Sequence, residues 1–172
     1  MKAFIISLIL LLSLGVATPV KANHYLPVGQ FPPGEMQIIL PSNPIVMLMS
    51  RIVHSLYMDH ISGNQNGGYP VIEQVVVLRG SAARIFEARC NCVGFFVLSE
   101  PKTIIVVVDS AISTTYIVAH ELAHVVQFNT GRTDFVPVPL LEAEADWIGH
   151  AAESILEGNI DVDASQNNEA RQ

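Results

Sequence analysis

His120-Glu121-Leu122-Ala123-His124 carries two imidazoles and a carboxylate at a spacing that could serve one metal ion. A helix turns by about 100° per residue, so His120 and His124, four positions apart, lie on one face about one turn apart. Both rings can point at a single cation. Glu121 is offset by roughly 100° and can reach a water on that cation, the place of a general base. Glu142 follows in the segment Glu142-Ala143-Glu144-Ala145-Asp146. A carboxylate from a second helix would complete a three-ligand set with a fourth position open, the arrangement of catalytic zinc. Glu142 and Asp146 again share a helical face. One can ligate while the other accepts a hydrogen bond from the far nitrogen of a ligating histidine and fixes its tautomer. Glu144 lies about 200° round the helix from Glu142 and is the poorer ligand.

The expected site is therefore one Zn2+ per chain on His120, His124 and Glu142, with Glu121 as catalytic base and Asp146 behind the ligands. Its chemistry would be hydrolysis of a polypeptide. Glu121 would take the proton of a zinc-acidified water as it attacks a peptide carbonyl, then pass it to the departing amine. No second oxyanion donor stands out. Tyr116, Arg132 and His150 are placed to be considered, and each is more commonly a surface or packing residue.

Such a site needs rigid elements to hold it. Ser113 suits the N-cap of a helix running to about Asn129, with Gly131 as a stop signal. Pro137 and Pro139 mark a connection, and a last helix is expected from near Pro139 to Glu157, closed by Gly158. Ahead of these lie three strand-like runs, Val71–Leu78, Val93–Leu98 and the strongly β-branched Thr103–Val108. The segment from Ser81 to Arg89 could be a short helix or a turn, and Ser99-Glu100-Pro101-Lys102 reads as a hairpin connection. The lack of alternation in Thr103–Val108 favours a central, buried strand, although an exposed edge there could pair with extended substrate. Asn43-Pro44 resembles a helix start, followed to about Met58 by Ile45, Leu48, Met49, Ile52, Val53 and Leu56 at helical spacing. Residues 23–42, rich in proline and glycine, read as an irregular lead-in with a short extended piece at Met36–Leu40. Residues 159–172 read as a flexible acidic tail. The fold class is α+β: a domain over residues 43–158, with a small sheet of about three strands against the two ligand-bearing helices.

The chain has 172 residues and a formal charge of −7, and half of its residues are apolar. Part of that apolar content lies in a leader. Met1-Lys2 precedes an apolar run from Ala3 to Val16, and Val20 and Ala22 suit the small-residue positions before a cleavage site. Residues 1–22 thus read as a signal peptide cut after Ala22, which implies a secreted or periplasmic protein with no stable membrane insertion after cleavage. The run is short for a spanning helix, which needs about 20 residues. The acidic balance argues against a nucleic-acid partner. Cys90 and Cys92 could form a disulfide in an oxidising compartment only with a local bend, because alternate residues of a strand stand nearly 7 Å apart. Two half-buried thiols, or a thiolate reaching the metal, are the other readings. Oligomeric state is not written in the sequence.

His120, Glu121, His124 and Glu142 resemble the gluzincin branch of zinc metallopeptidases, which joins an HExxH helix to a downstream helix carrying glutamate as third ligand. Asp146 matches the aspartate behind that branch's ligands. The stretch His120-Glu-Leu-Ala-His-Val-Val-Gln127 and the pair Ala145-Asp146 are most similar to small bacterial metallopeptidase-like domains, one of them associated with extracellular contractile injection systems. The likeness covers mainly residues 103–152 and implies a zinc peptidase. Metzincins require glycine and a third histidine where this chain has Gln127 and Thr130, and a methionine turn where the last methionine here is Met58. Larger gluzincins add a sizeable domain after the third ligand. About thirty residues follow Glu142 here, so the alternative reading is a non-catalytic zinc-binding or scaffold domain. A third is an exported interaction module in which the motif is coincidental.

Overall fold

The computed structural model describes residues 34–62, 68–98, 102–108 and 111–169. The leader, most of the lead-in and the connection at Ser99–Pro101 lie outside the described residues. The architecture is α+β, with a four-stranded mixed sheet and four helices. In chain order the elements are β1 (Met36–Ile39), α1 (Pro44–Tyr57), β2 (Gln74–Leu78), α2 (Gly80–Cys90), β3 (Gly94–Val97), β4 (Thr103–Val107), α3 (Thr114–Asn129) and α4 (Val138–Glu169). A single π-helical turn, Met58–Ser62, extends α1, and a 3₁₀ turn, Arg132–Asp134, precedes α4.

Strand order is β1-β2-β4-β3. β4 pairs in parallel with β2, Val76 opposite Ile105, and antiparallel with β3, Phe95 opposite Ile105. Four of its five residues are buried, as a β-branched run without alternation demands. The edge role considered for Thr103–Val108 is thereby corrected: β4 is flanked on both sides, and among the described residues β1 and β3 are the edges. The fourth strand is the short extended piece expected at Met36–Leu40, which forms β1 and pairs antiparallel with β2.

The helices follow their local signals closely. Asn43 caps α1 by accepting from the Ile45 N–H at 3.0 Å. The buried face of α1 is Val46, Met49, Ser50, Val53 and Tyr57, while Ile45 and Leu48 face outward. Residues 45–49 are apolar all round the helix, so periodicity alone could not choose the face. For α2, Arg79 provides no side-chain cap. Glu35 supplies one from a distance, its carboxylate accepting from the Ser81 hydroxyl at 2.5 Å and the Ala82 N–H at 2.8 Å. These bonds, the Ser81 one foremost, hold the Glu35 pKa below the ordinary carboxyl value. α4 continues through Gly158 to Glu169 instead of closing at Glu157. Glycine costs a helix only about 1 kcal/mol relative to alanine and does not by itself stop one.

α3 lies at the centre, packed on β3, β4, α1 and α4. Ile117, Leu122 and Val126 of α3 and Ile148 of α4 are fully buried. Each such side chain stabilises the fold by about 1.5–3 kcal/mol through the hydrophobic effect. One face of α3 is thus fixed by packing, and the remaining face is turned towards α4.

Candidate metal centre

Ser113 caps α3 through an Oγ that accepts from the Tyr116 N–H at 3.4 Å, which sets the helix in register two turns before His120. Glu142 sits in the second turn of α4 and Asp146 one turn later. Tight contact between the two helices brings them together. A Cβ added at Gly149 would lie 2.8 Å from the Tyr116 ring, so glycine is what lets that ring approach α4 so closely. Tyr116 then donates its hydroxyl to Asp146 Oδ1 at 2.7 Å.

The three expected ligands converge. His120 Nε2 and His124 Nε2 are 3.0 Å apart, and Glu142 Oε2 lies 3.5 Å from the first and 3.6 Å from the second. Donor atoms at about 2.0–2.1 Å around a tetrahedral cation stand roughly 3.3 Å from one another, so the triangle has the size of a zinc face. Among the described residues this is the group of histidines and carboxylates able to hold a metal ion.

Hydrogen bonding dictates where the ring protons sit. Gln127 is fully buried, and its Nε2 donates to the Leu141 carbonyl at 2.8 Å. Its Oε1 therefore faces His124 Nδ1, 2.8 Å away. An amide oxygen only accepts, so that nitrogen carries the hydrogen and Nε2 of neutral His124 is a bare lone pair. Asp146 Oδ1 lies 3.0 Å from His120 Nδ1. The approach is oblique, and the nitrogen has no aligned hydrogen-bond partner. The carboxylate still favours the same tautomer by charge, leaving His120 Nε2 bare. Two lone pairs and a carboxylate pointed at one spot repel unless a positive charge sits among them, and a divalent cation fits that donor set.

The ionisation of these groups follows the same logic. Without a metal, hydrogen bonds from His120 and then His124, which need a proton on Nε2, hold Glu142 far below the ordinary carboxyl range. Burial opposes protonation of His124, but bonds to Glu142 and Gln127 and the charge of Glu121 outweigh it and raise its pKa. In the metal-free protein a raised histidine pKa contributes stability below the ordinary value near 6.5 that is lost as pH rises through the raised one. Metal binding runs the other way, because it displaces the proton. Thermal melts across pH are expected to show metal-free stability falling as pH rises from about 6.5 through the raised pKa, while zinc-dependent stabilisation grows over the same range. Zinc affinity below that pKa should weaken by about tenfold per pH unit for each proton displaced.

Glu121 points from α3 towards β3 and is 7% exposed. Burial raises its pKa, against the pull of His124, His120 and a hydrogen bond from the Phe96 N–H. A more basic carboxylate is the better proton acceptor near neutral pH. It fits only because β3 begins with Gly94. A Cβ there would meet Glu121 Oε1 and Ile117 Cγ2, each at 2.6 Å. Gly94→Ala is expected to cost about 1–3 kcal/mol in urea unfolding through overpacking, and to displace the Glu121 carboxylate.

A cleft of about 550 Å³ opens onto the ligands. His120, Glu121, His124 and Glu142 line it, together with Phe95, Phe96, Leu98, Phe128 and Val138. Tyr116 also borders the cleft, and burial, then Asp146, raise its pKa so that it stays a neutral hydroxyl. His150 packs against Tyr116 with the rings tilted by 44° and their centres 4.6 Å apart. Arg132 turns away and pairs through Nε and Nη2 with Glu144, which accounts for both residues outside the ligand set. Cys90 and Cys92 form a disulfide with Cα atoms 5.2 Å apart. The bend it needs comes from Asn91 in the left-handed region at φ 54°, which asparagine tolerates. With both sulfurs bonded, the reading of a cysteine thiolate on the metal is corrected.

The structure thus brings together His120, Glu121, His124, Glu142 and Asp146. Sequence reasoning missed Gly94, the Phe96 N–H and Gln127. Only Gln127 left a signal: a polar residue in a helix stretch otherwise filled with core residues. No protein-family model, curated protein or solved structure matches this chain.

Proposed function

We propose that this protein is an exported zinc-dependent peptidase whose site follows the gluzincin plan on a minimal zincin-like fold. The observation that carries this reading is the triangle of His120 Nε2, His124 Nε2 and Glu142 Oε2, with edges of 3.0, 3.5 and 3.6 Å. These three residues would hold the metal, and Asp146 would set the ring of His120. A divalent zinc there supplies Lewis acidity, polarising a carbonyl and acidifying water. Glu121, buried beside the cleft and kept basic, accepts a proton and returns it to the leaving amine. Tyr116 borders the same cleft, and its one hydroxyl proton is held by Asp146, so it can offer a substrate group only an accepting oxygen.

The cleft favours an extended polypeptide. β3 pairs with β4 on one side only among the described residues, so its other edge offers backbone donors and acceptors next to the ligands. Phe95, Leu98, Phe128 and Val138 make that wall apolar, which suits apolar substrate side chains. No described helix is long and apolar enough to cross a membrane.

The test is a screen of extended peptides with apolar residues, with and without a chelator. Cleavage that a chelator abolishes and zinc restores supports the reading. Tightly bound zinc with no cleavage of any peptide would favour the non-catalytic zinc-binding domain, and absence of bound zinc in pure protein would remove both.

A further inference from the structure

Gln127 is an amide with no exposure, inside a helix stretch whose neighbours Val125 and Val126 are core. Burying an amide costs stability unless its donors and acceptors are satisfied. Here they are. Nε2 donates to the Leu141 carbonyl at 2.8 Å and to Glu144 Oε2 at 3.3 Å, and Oε1 lies 2.8 Å from His124 Nδ1. The partners matter more than their number. Leu141 is the residue before Glu142, so one side chain grips one proposed ligand directly and the backbone next to another. Glu144 is itself fixed by the Arg132 guanidinium, at 2.9 Å from Nε to Oε2.

We infer that Gln127 is the positioning residue that joins the two ligand-bearing helices, setting the His124 tautomer with its oxygen and the place of Glu142 with its nitrogen. The amide cannot turn over, because reversal would press its oxygen against two acceptors, the Leu141 carbonyl and the Glu144 carboxylate. With the orientation locked, His124 must carry its hydrogen on Nδ1. Its Nε2 lone pair is then aimed at the point shared with His120 and Glu142. Arg132 and Glu144 hold the amide from behind, so the chain Arg132–Glu144–Gln127–His124 runs from the 3₁₀ turn to the metal centre. This role rests on the zinc-site reading above, and half of its test does not.

Gln127→Met keeps the volume and removes all three bonds. Two measurements apply to the folded variant. The first is zinc affinity by competition with a chromophoric chelator, where a 10–100-fold loss is expected, the usual effect of removing the partner of a ligating histidine. The second is the tautomer of His124 in metal-free protein, read from ¹⁵N ring shifts above the imidazole titration range. Wild type should hold the hydrogen on Nδ1, and Gln127→Met should move a substantial population to Nε2. Unchanged zinc affinity together with an unchanged tautomer would overturn the inference. Should Gln127→Met fail to fold, wild type alone decides: a hydrogen found on Nε2 of His124 in the metal-free protein would equally refute the inference, because the locked amide oxygen requires it on Nδ1. Wild type that binds no zinc would defeat the proposed function, and the tautomer measurements would still decide the role of Gln127.

Discussion

Glu121→Gln is expected to keep one zinc per chain and to lose peptide hydrolysis by about 10²–10⁴-fold, the usual contribution of a positioned general base. The substitution is nearly isosteric. Glu121 has little room, with Gly94 and Ile117 against it, and an amide of the same shape still accepts from the Phe96 N–H. The metal triangle does not include Glu121, so the elemental zinc content should be unchanged. Neutralising the buried carboxylate also removes the group whose pKa burial raises, so stability should hold or improve slightly. Turnover that survives the change would show that Glu121 is not the base. Zinc lost along with turnover would mean that the residue belongs to the metal site.

His124→Ala should abolish the tightly bound zinc. It removes one corner of the triangle and the acceptor's partner at Gln127 together, leaving a buried amide oxygen unpaired. Two remaining donors do not make a closed zinc face. At a zinc concentration one hundred times its dissociation constant, wild type should gain about 2.7 kcal/mol of stability, and the variant should gain nothing. Thermal melts with and without zinc, alongside elemental analysis, read this directly. A variant that still melts higher with zinc would place the ion elsewhere.

How much of this could be read from the chain depended on how local each signal was. His120 and His124 are one turn apart, and Glu142 and Asp146 likewise, so helical geometry alone put each pair on a face. The N-caps Asn43 and Ser113 were equally local, and both side chains bond as their residue types suggest. The identity of the sheet edge was not local. It depends on which strand β4 meets on each side, and β-branched composition says only that Thr103–Val107 is buried. β1 was legible as a short extended piece at Met36–Leu40, but its place in the sheet was not, because its partner β2 is more than thirty residues away. Gln127 is the instructive miss. Its meaning comes from a carbonyl on another helix, and only that pairing turns an ordinary polar residue into an oriented acceptor. Gly94 is silent for the same reason, since its lack of a side chain matters only against Glu121.

The Cys90–Cys92 bridge closes a three-residue ring between α2 and the strand that walls the cleft. A ring that small removes only roughly 1.5 kcal/mol of unfolded-chain entropy, about half of what a fifteen-residue loop would. Its contribution is therefore to local shape: Cys92 borders the cleft, and the bridge fixes how the backbone enters Gly94. Material made in a reducing cytoplasm would lack this covalent stitch while remaining folded. Preparations from oxidising and reducing hosts should then melt about 3–6 °C apart and differ at the mouth of the cleft, and production should be directed to the oxidising one.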